Sequence, residues 1–184
     1  MLMKNNVNKL FFVIFLSFFL IANLFADEFD ISATNIKLIQ EDKEILAEGN
    51  VIAKTKDGLI IEAEKVLYSK EKKLLNAENS VRVLDAKSDD QIASEKIQYF
   101  INDEKIISKG LTYIKLKNFY NLVTKDIIFN RKEQIIKSDS LTKIEDNLGN
   151  SILLDVFKYS VKDKHLRSKG YVEITDNSKN KYFF

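Results

Sequence analysis

Hydrophobic and polar residues alternate along most of the chain after residue 26, which is the pattern of β-strands that bury one face. In the stretch ILAEGNVIA (residues 45–53), Ile45, Ala47, Gly49 and Val51 fall on one side of an extended strand. The middle of this inward side is nearly empty of side chain, although Gly weakens a strand interior. The alternation predicts antiparallel strands of about six to ten residues, with almost no helix beyond the N-terminal segment.

The same pattern recurs with a period of about 30 residues. Five copies begin near residues 33, 63, 94, 124 and 154, and each copy has apolar or small residues at the same offsets from its start. A charged residue lies between the two small inward residues of every copy, and we expect it to face water. The inward residues of the first four copies include Ile36, Leu38, Ile45, Ala47, Val51, Ala53, Val66, Tyr68, Leu75, Ala77, Val81, Val83, Ile97, Tyr99, Ile106, Ser108, Ile114, Ile127, Phe129 and Ile136.

Each copy also breaks the two-residue alternation once. Ala63, which starts the second copy, and Val66 cannot share one face of a straight strand, so we expect a bulge or sharp bend between them. Short charged connectors separate the strands. Those predicted to form hairpin tips are QEDK (40–43), KEKK (70–73), NDEK (102–105), NRKEQ (130–134) and KDK (162–164). A second set turns the chain into the next unit and includes KTKDG (54–58), EDNLGN (145–150) and TDNSKN (175–180).

These units predict one all-β domain over residues 27–184, an elongated and twisted antiparallel β-jellyroll built from the repeats. A compact sandwich is the alternative. A stack of repeats leaves a strand edge at each end, and such edges pair with other chains. The next copy would begin at Phe184, the last residue of the sequence. We therefore expect a truncated chain; the alternative is a natural end in which residues 181–184 form a finishing edge strand.

The first 26 residues have the layout of a secretory signal peptide. Lys4 and Lys9 precede the apolar run LFFVIFLSFFLIA (residues 10–22), which is shorter than the roughly 20 residues needed to span a bilayer. We expect cleavage after Ala26, and an uncleaved inner-membrane anchor is the alternative. The chain has no Cys, which excludes a lipoprotein anchor and any disulfide. The segment therefore predicts an exported protein.

Charge and motif content argue against catalysis and against nucleic-acid binding. Without the two lysines of the first 26 residues, the 29 basic residues fall to 27 and equal the 27 acidic ones, whereas a nucleic-acid partner needs a net basic surface. The single His, His165, lies in a charged hairpin tip, and no phosphate-binding glycine loop or zinc-type spacing occurs. We therefore expect no enzyme activity, no cofactor and no metal site.

What remains is a long apolar inner face with small residues at its centre and large ones at its margins. The small residues would form the floor of a groove and the aromatic residues its rim. Such a groove would take a lipid acyl chain, because each CH₂ kept out of water contributes about 0.8 kcal/mol. Alternatively, the small residues let two sheets approach closely around a solid core, and the residues alone leave both interpretations open. The floor would be Ala47, Ala77 and Ser108, and the rim Tyr68, Tyr99 and Phe129.

The run LAEGNVIAKTKDGLIIEAEKVLYSKEKKLLNAENSVRV (residues 46–83) resembles the organic-solvent-tolerance (OstA-type) repeat of lipopolysaccharide transport proteins. The signature of that repeat is AEGNV, a turn, an A-[DE]-x-[VI]-x-Y element and a small residue before the next strand. Residues 47–51, 63–68 and 77–81 match these pieces, and the later copies are more degenerate. The resemblance extends over essentially all of residues 27–184.

The family includes the periplasmic bridge protein LptA and the periplasmic N-terminal domain of the outer-membrane protein LptD, and the inner-membrane protein LptC shares its fold. The resemblance implies a periplasmic jellyroll that is open along one side and holds lipopolysaccharide acyl chains on the inward residues given above. Neighbouring jellyrolls would join it end to end by strand pairing. The resemblance favours a truncated N-terminal region of LptD, with an outer-membrane barrel as partner, over a complete LptA. A structural or adhesive β-repeat protein and an LptC-like anchored protein are the alternatives.

Overall fold

The computed structural model describes residues 28–86, 89–117 and 119–184, so the predicted signal segment lies outside the described part. Every regular element in these ranges is a strand, and the fold is all-β, as the sequence predicts. No helix within these ranges is long and apolar enough to cross a membrane. The strands are β1 (Phe29–Ser32), β2 (Asn35–Ile39), β3 (Glu44–Thr55), β4 (Leu59–Ser69), β5 (Leu74–Asp85), β6 (Asp90–Phe100), β7 (Lys105–Leu116), β8 (Tyr120–Lys125), β9 (Ile128–Asn130), β10 (Ile135–Ser138), β11 (Thr142–Asp146), β12 (Ser151–Ser160), β13 (His165–Thr175) and β14 (Lys181–Phe183).

All the described strands pair antiparallel in one sheet of 14 strands. Strands β3 to β7 pair successively along the chain. The order branches at the fourth repeat, where β7 pairs with β9 along residues 105–107 and with β8 along residues 111–116. Strand β12 similarly pairs with β10 in one half and with β11 in the other, and it pairs with β13 along its whole length. One hydrogen-bonded ladder therefore connects the whole described structure.

Each long strand bends near its middle, where the pairing register shifts by one residue. Ala63 and Val66 on β4 are both buried although they lie three residues apart, because the register shift between Glu62 and Lys65 restores the alternation. The same change of face occurs on β6 and β12, where Ser94 with Ile97 and Leu154 with Phe157 are buried. The predicted break in the alternation is confirmed.

The glycine of ILAEGNVIA is small for a reason that the sequence did not suggest. Gly49 has φ +80°, a left-handed conformation, and a Cβ on it would lie 2.9 Å from Thr34 Oγ1. Gly170 at the same offset of the fifth copy has φ +96°, and a Cβ there would lie 2.8 Å from Asp155 Oδ2. Both glycines lie at the corner of a bent strand, where the left-handed backbone and a close neighbouring side chain require glycine. Neither leaves empty space in the interior. Of the two small residues in the middle of ILAEGNVIA, only Ala47 fits the predicted narrow inner face, since it is fully buried there.

The bends fold the sheet over into two layers that face each other across the core. Layer A consists of the strand halves that end at the turns 40–43, 70–73, 101–104, 131–134 and 161–164, and layer B consists of the halves that end at the other connectors. Phe29 of layer B packs edge-on against two rings of layer A, with centroid distances of 5.2 Å to Tyr68 and 6.1 Å to Tyr99. The inward residues of both layers form one buried cluster. The architecture is the predicted antiparallel jellyroll, and its turns lie within one residue of the predicted tips.

The fourth repeat departs from the others, because short strands replace long ones and leave a broken corner. Hydroxyl groups there take the place of ladder hydrogen bonds. Ser108 Oγ accepts from the backbone N–H of Ile127 at 3.0 Å, and Ser138 Oγ donates to the carbonyl of Lys125 at 2.7 Å. At the offset of Ser108 and Ser138 the first two repeats have alanine, and at the offset of Thr112 and Thr142 they have Val51 and Val81. The buried residues of this hydroxyl corner are Ser94, Ser108, Thr112, Thr124, Ser138 and Thr142.

Candidate functional site

The turns of the two layers meet along one long side of the molecule, which we call the seam. Beside repeats one to three, ion pairs close the seam. Arg131 of layer A binds Asp57 at 2.8 Å and Asp85 at 3.1 Å, and both carboxylates belong to layer B. Arg131 Nη1 also donates to Tyr99 Oη at 3.3 Å. The Arg131 side chain is only 6% exposed, so this ion pair is a buried contact that covers the core and differs from an exposed surface ion pair.

The pKa shifts of the groups in this contact, which we call the Arg131 bridge, keep its arginine and carboxylate charged. Burial disfavours a charged guanidinium, but the hydrogen bond to Asp57 and the nearby Tyr99 and Asp85 more than offset it and raise the pKa of Arg131. Burial likewise works to raise the pKa of Asp57, but hydrogen bonds from Thr55 and Arg131 outweigh it and hold that pKa below its usual range. Burial raises the pKa of Tyr99, so its phenol stays neutral. The bridge therefore persists at neutral pH.

A second bridge closes the seam at the N-terminal end of the jellyroll. Glu28, just before β1, accepts a hydrogen bond from Tyr68 Oη at 2.8 Å and pairs with Lys73 Nζ at 2.9 Å. Burial works to raise the pKa of Glu28, and these two contacts outweigh it and lower the pKa. Because Tyr68 and Lys73 belong to layer A, Glu28 ties the two layers together as Arg131 does.

Beside repeats four and five, the seam opens into an apolar pocket of about 230 Å³ between the layers. A second pocket of about 230 Å³ shares four residues with the first and reaches the surface beside Lys117 and Phe119. Among the described residues that follow Arg131, no ion pair joins the two layers. The lining of the first pocket, which we call the seam pocket, is Leu116, Tyr120, Leu122, Ile144 and Ile152 from layer B and Tyr159, Lys164 and Leu166 from layer A.

The lining of the seam pocket suits an apolar guest. Among the described residues that line it, Lys164 is the only charged one. Burial, and to a lesser degree the neighbouring Tyr120 and Asp90, raises the pKa of Tyr159, so that side chain is a neutral phenol at pH 7. No group of three or more His, Cys, Asp or Glu within the described ranges could hold a metal ion. The arrangement can exclude water from a hydrocarbon chain and leave a polar end at the surface.

The predicted inward residues lie mainly in repeats one to three, which we call the closed half because ion pairs close the seam beside them. All of them are buried except Ile36, Leu38 and Ile45. Ile45 is partly buried, whereas Ile36 and Leu38 are 48% and 56% exposed because β2 is the outermost strand of layer A. None of the predicted residues lines the seam pocket or the pocket that continues it. The floor residues Ala47, Ala77 and Ser108 are packed at 0% exposure.

Sequence reasoning missed the pocket residues, although the repeat contains part of the signal. Ile144, Tyr159 and Leu166 occupy inward offsets of the fourth and fifth copies, so their orientation follows from the repeat register. Leu116 and Tyr120 border a connector and have no equivalent in the repeat pattern. The register says which side chains face inward, but the space between the layers depends on how the turns meet at the seam.

Comparisons with known proteins complete the description of the chain. No family model matches it, and no curated protein matches it in sequence. Among solved structures it is similar to LptH, described as the LptA homologous periplasmic component of the conserved lipopolysaccharide transport device from Pseudomonas aeruginosa. The match covers 85% of this chain and 93% of LptH, with a TM-score of 0.43 and 9% sequence identity.

Proposed function

We propose that this protein is a periplasmic lipopolysaccharide-binding module that shields acyl chains between its two layers and passes them toward the outer membrane. The seam pocket is the observation that carries the proposal. Its mouth lies on the seam, so a bound acyl chain would keep its polar end in water beside Lys117 and Lys164. The OstA-type resemblance of residues 46–83 supplies the class of ligand.

The size of the seam pocket suits part of an acyl chain. A volume of about 230 Å³ equals roughly seven or eight water-sized volumes, and a CH₂ group is of similar size. Seven such groups removed from water contribute roughly 5–6 kcal/mol. A longer chain would extend into the adjoining pocket or would require the closed part of the seam to separate. The Arg131 bridge would then control how much of the interior a lipid can enter.

Site-specific photo-crosslinking tests this proposal. We expect a photo-crosslinking amino acid at Leu122 or Ile144 to capture lipopolysaccharide in cells that make it, because both side chains line the seam pocket. The same group at Tyr113, which is 52% exposed on the outer face, is the matched control and should capture none. Folded variants that capture no lipid at Leu122 and Ile144 would contradict the proposal.

We also propose that neighbouring jellyrolls of the transport bridge pair with the two ends of the sheet. At one end, β2 exposes Ile36 and Leu38. At the other end, residues 165–170 of β13 have no outer strand in the part of the chain that the structure describes. Free strand edges with apolar side chains readily add another strand. Leu38→Lys should reduce cross-linking to neighbouring jellyrolls, and an unchanged yield would count against this contact.

Within the family we propose an N-terminal region of LptD, whose partner would be an outer-membrane barrel, rather than LptA. The number of repeats and the Lys-, Asn- and Ile-rich composition support this choice. The coding sequence after Phe184 tests it, since further repeats and then many alternating strands are expected. A signal peptide that is cleaved after Ala26 would place the protein in the periplasm. N-terminal sequencing of the mature protein separates this from an LptC-like anchored protein.

A structural β-repeat protein is the second candidate, and the packing of the closed half favours it. Tyr68, Ile97 and Ile106 are at most 1% exposed there, so the interior of repeats one to three is a solid core. This candidate predicts a protein that purifies without lipid in native mass spectrometry. Lipid adducts that disappear on Leu122→Trp, which fills the seam pocket, would exclude it.

A further inference from the structure

Three cations lie side by side on the outer face of the last repeats. Lys137 on β10 is directly opposite Lys158 on β12, and Lys158 is directly opposite Arg167 on β13. Directly opposed side chains have Cβ atoms roughly 5 Å apart, and like charges at that distance destabilise a sheet. Within the described ranges, none of the three is in an ion pair. We call these residues the cationic row.

In the closed half, the charged residues on the outer face of the sheet alternate in sign. There Glu48, Lys65, Glu78 and Lys96 alternate in sign across four neighbouring strands. Lys65 pairs with Glu48 at 3.3 Å and Lys96 with Glu78 at 2.5 Å. Lys109 then lies opposite Lys96, which Glu78 already neutralises. The chain thus compensates its outer charges in one half and leaves three uncompensated neighbours in the other.

The cationic row borders a surface hollow of about 420 Å³. Besides Lys158 and Arg167, the hollow offers the Ser160 hydroxyl and the exposed ring of His165 as polar groups. Two acids lie at its rim, Glu133 and Asp163. Asp163 is engaged locally, because its carboxylate accepts from Ser160 Oγ at 2.8 Å and its N–H donates back at 3.2 Å. The complete lining is Glu133, Ile135, Lys158, Ser160, Asp163, His165 and Arg167.

We propose that the outer face of β10, β12 and β13 binds a phosphate-bearing anion, with Lys158 and Arg167 as its main contacts and Lys137 beside them. The row spans two strand spacings, roughly 10 Å, which suits a multiply charged diphosphate better than a single carboxylate. The planar guanidinium can donate to two phosphate oxygens at once, and an ammonium group binds phosphate as a point charge. The site lies on the opposite face of the sheet from the seam pocket, so it does not depend on acyl-chain binding.

The test is a titration with two probes that separate the possible sources of the phosphate. Pyrophosphate tests for a soluble ligand, and phosphatidylcholine vesicles with or without phosphatidic acid test for a lipid headgroup. We expect one of the two probes to bind and to shift the backbone amide signals of residues 158–167. The double variant Lys158→Gln/Arg167→Gln should weaken that binding by about tenfold or more, because it removes two charge-assisted contacts.

The matched control is Lys65→Gln/Lys96→Gln, which removes the same charge from the compensated half. It should leave the binding unchanged, and circular dichroism should show both double variants folded. If both double variants lost binding equally, net charge alone would explain the effect, and the proposed site would be wrong. Failure of both probes to bind would overturn it as well, and so would citrate binding as tightly as pyrophosphate.

Discussion

The two halves of the jellyroll share one repeat but close it differently. The closed half has the long strands β3 to β7, a valine at the corner of repeats one and two (Val51 and Val81), and a seam held by Arg131 and Glu28. In the other half, repeat four has the short strands β8 to β11, a corner of hydroxyl groups joins repeats three and four, and the seam opens on an apolar pocket. The inward residues decide which face of the sheet is buried. The residues at the turns decide whether the space inside is sealed or accessible.

Core truncation should give the largest difference between the halves. Ile97→Ala in the closed half removes a side chain with 0% exposure and should destabilise the fold by about 3–4 kcal/mol, since it leaves a cavity. Leu122→Ala removes a side chain that already faces the seam pocket and should cost less, about 2 kcal/mol, the low end for a buried leucine. Urea denaturation measures both. Equal costs would mean that the two halves are packed alike.

Removal of the Arg131 bridge should have the next largest effect. Arg131→Met removes the guanidinium that binds Asp85, whose side chain is 12% exposed, and should destabilise the protein by about 2–3 kcal/mol. The cost stays below that of a fully buried pair because Asp57 is 42% exposed. Lys65→Met, which breaks the exposed pair with Glu48, is the control and should cost less than about 1 kcal/mol. A similar cost for both would show that Arg131 is an ordinary surface charge.

Exchange of one residue between the two corners tests their different chemistry. Thr142→Val removes the hydrogen-bonding contacts of Thr142 Oγ1 with the Thr124 hydroxyl and the Ser140 carbonyl, both at 2.8 Å, and should cost about 1–2 kcal/mol. Val81→Thr at the same offset buries a hydroxyl in the apolar corner and should also destabilise, by about 1–2 kcal/mol. Thermal denaturation measures both. A neutral Thr142→Val would mean that the hydroxyl corner contributes no stability.

Low pH should lower the stability of the closed half, by less than the substitutions above. The folded-state pKa of Glu28 lies below its ordinary value of 4.5, so its carboxylate stabilises the fold above that pH and loses this contribution as the pH falls through the folded value. The folded-state pKa of Asp57 likewise lies below its ordinary value of 3.8, so its stabilising contribution is also lost as the pH falls through the folded value. We expect a loss of less than about 1 kcal/mol for each group, since both are partly exposed.

Hydrogen exchange below about pH 4 measures this loss. Amides near Glu28 and Tyr68 should lose protection, and those of β12 beside the seam pocket should change less. Glu28→Gln should remove part of the pH dependence. Equal loss of protection in both halves would show that the acid response does not come from the seam bridges.

Much of the fold could be predicted from the sequence because the strands, bends and turns are determined by residues close together in the chain. Alternation, the break between Ala63 and Val66, and the charged turns all act within a few residues, and each was predicted correctly. The seam depends on contacts between distant residues, such as Arg131 and Asp85, which are 46 residues apart. In the sequence, Arg131 and Asp57 are ordinary connector charges. The pocket could not be predicted for the same reason, because it lies where such bridges are lacking among the described residues.

The Arg131 bridge also sets an order of events for a growing chain. Most strand pairs join neighbours in sequence, so hairpins can form one after another as the chain emerges, with low loop-closure cost. The bridge between Arg131 and Asp57 has to wait until the turn of the fourth repeat is present. Before that, the Glu28 bridge, whose three partners lie within residues 28–73, can already join the two layers at the N-terminal end. The seam can therefore close in two steps along the growing chain, first at Glu28 and then at Arg131.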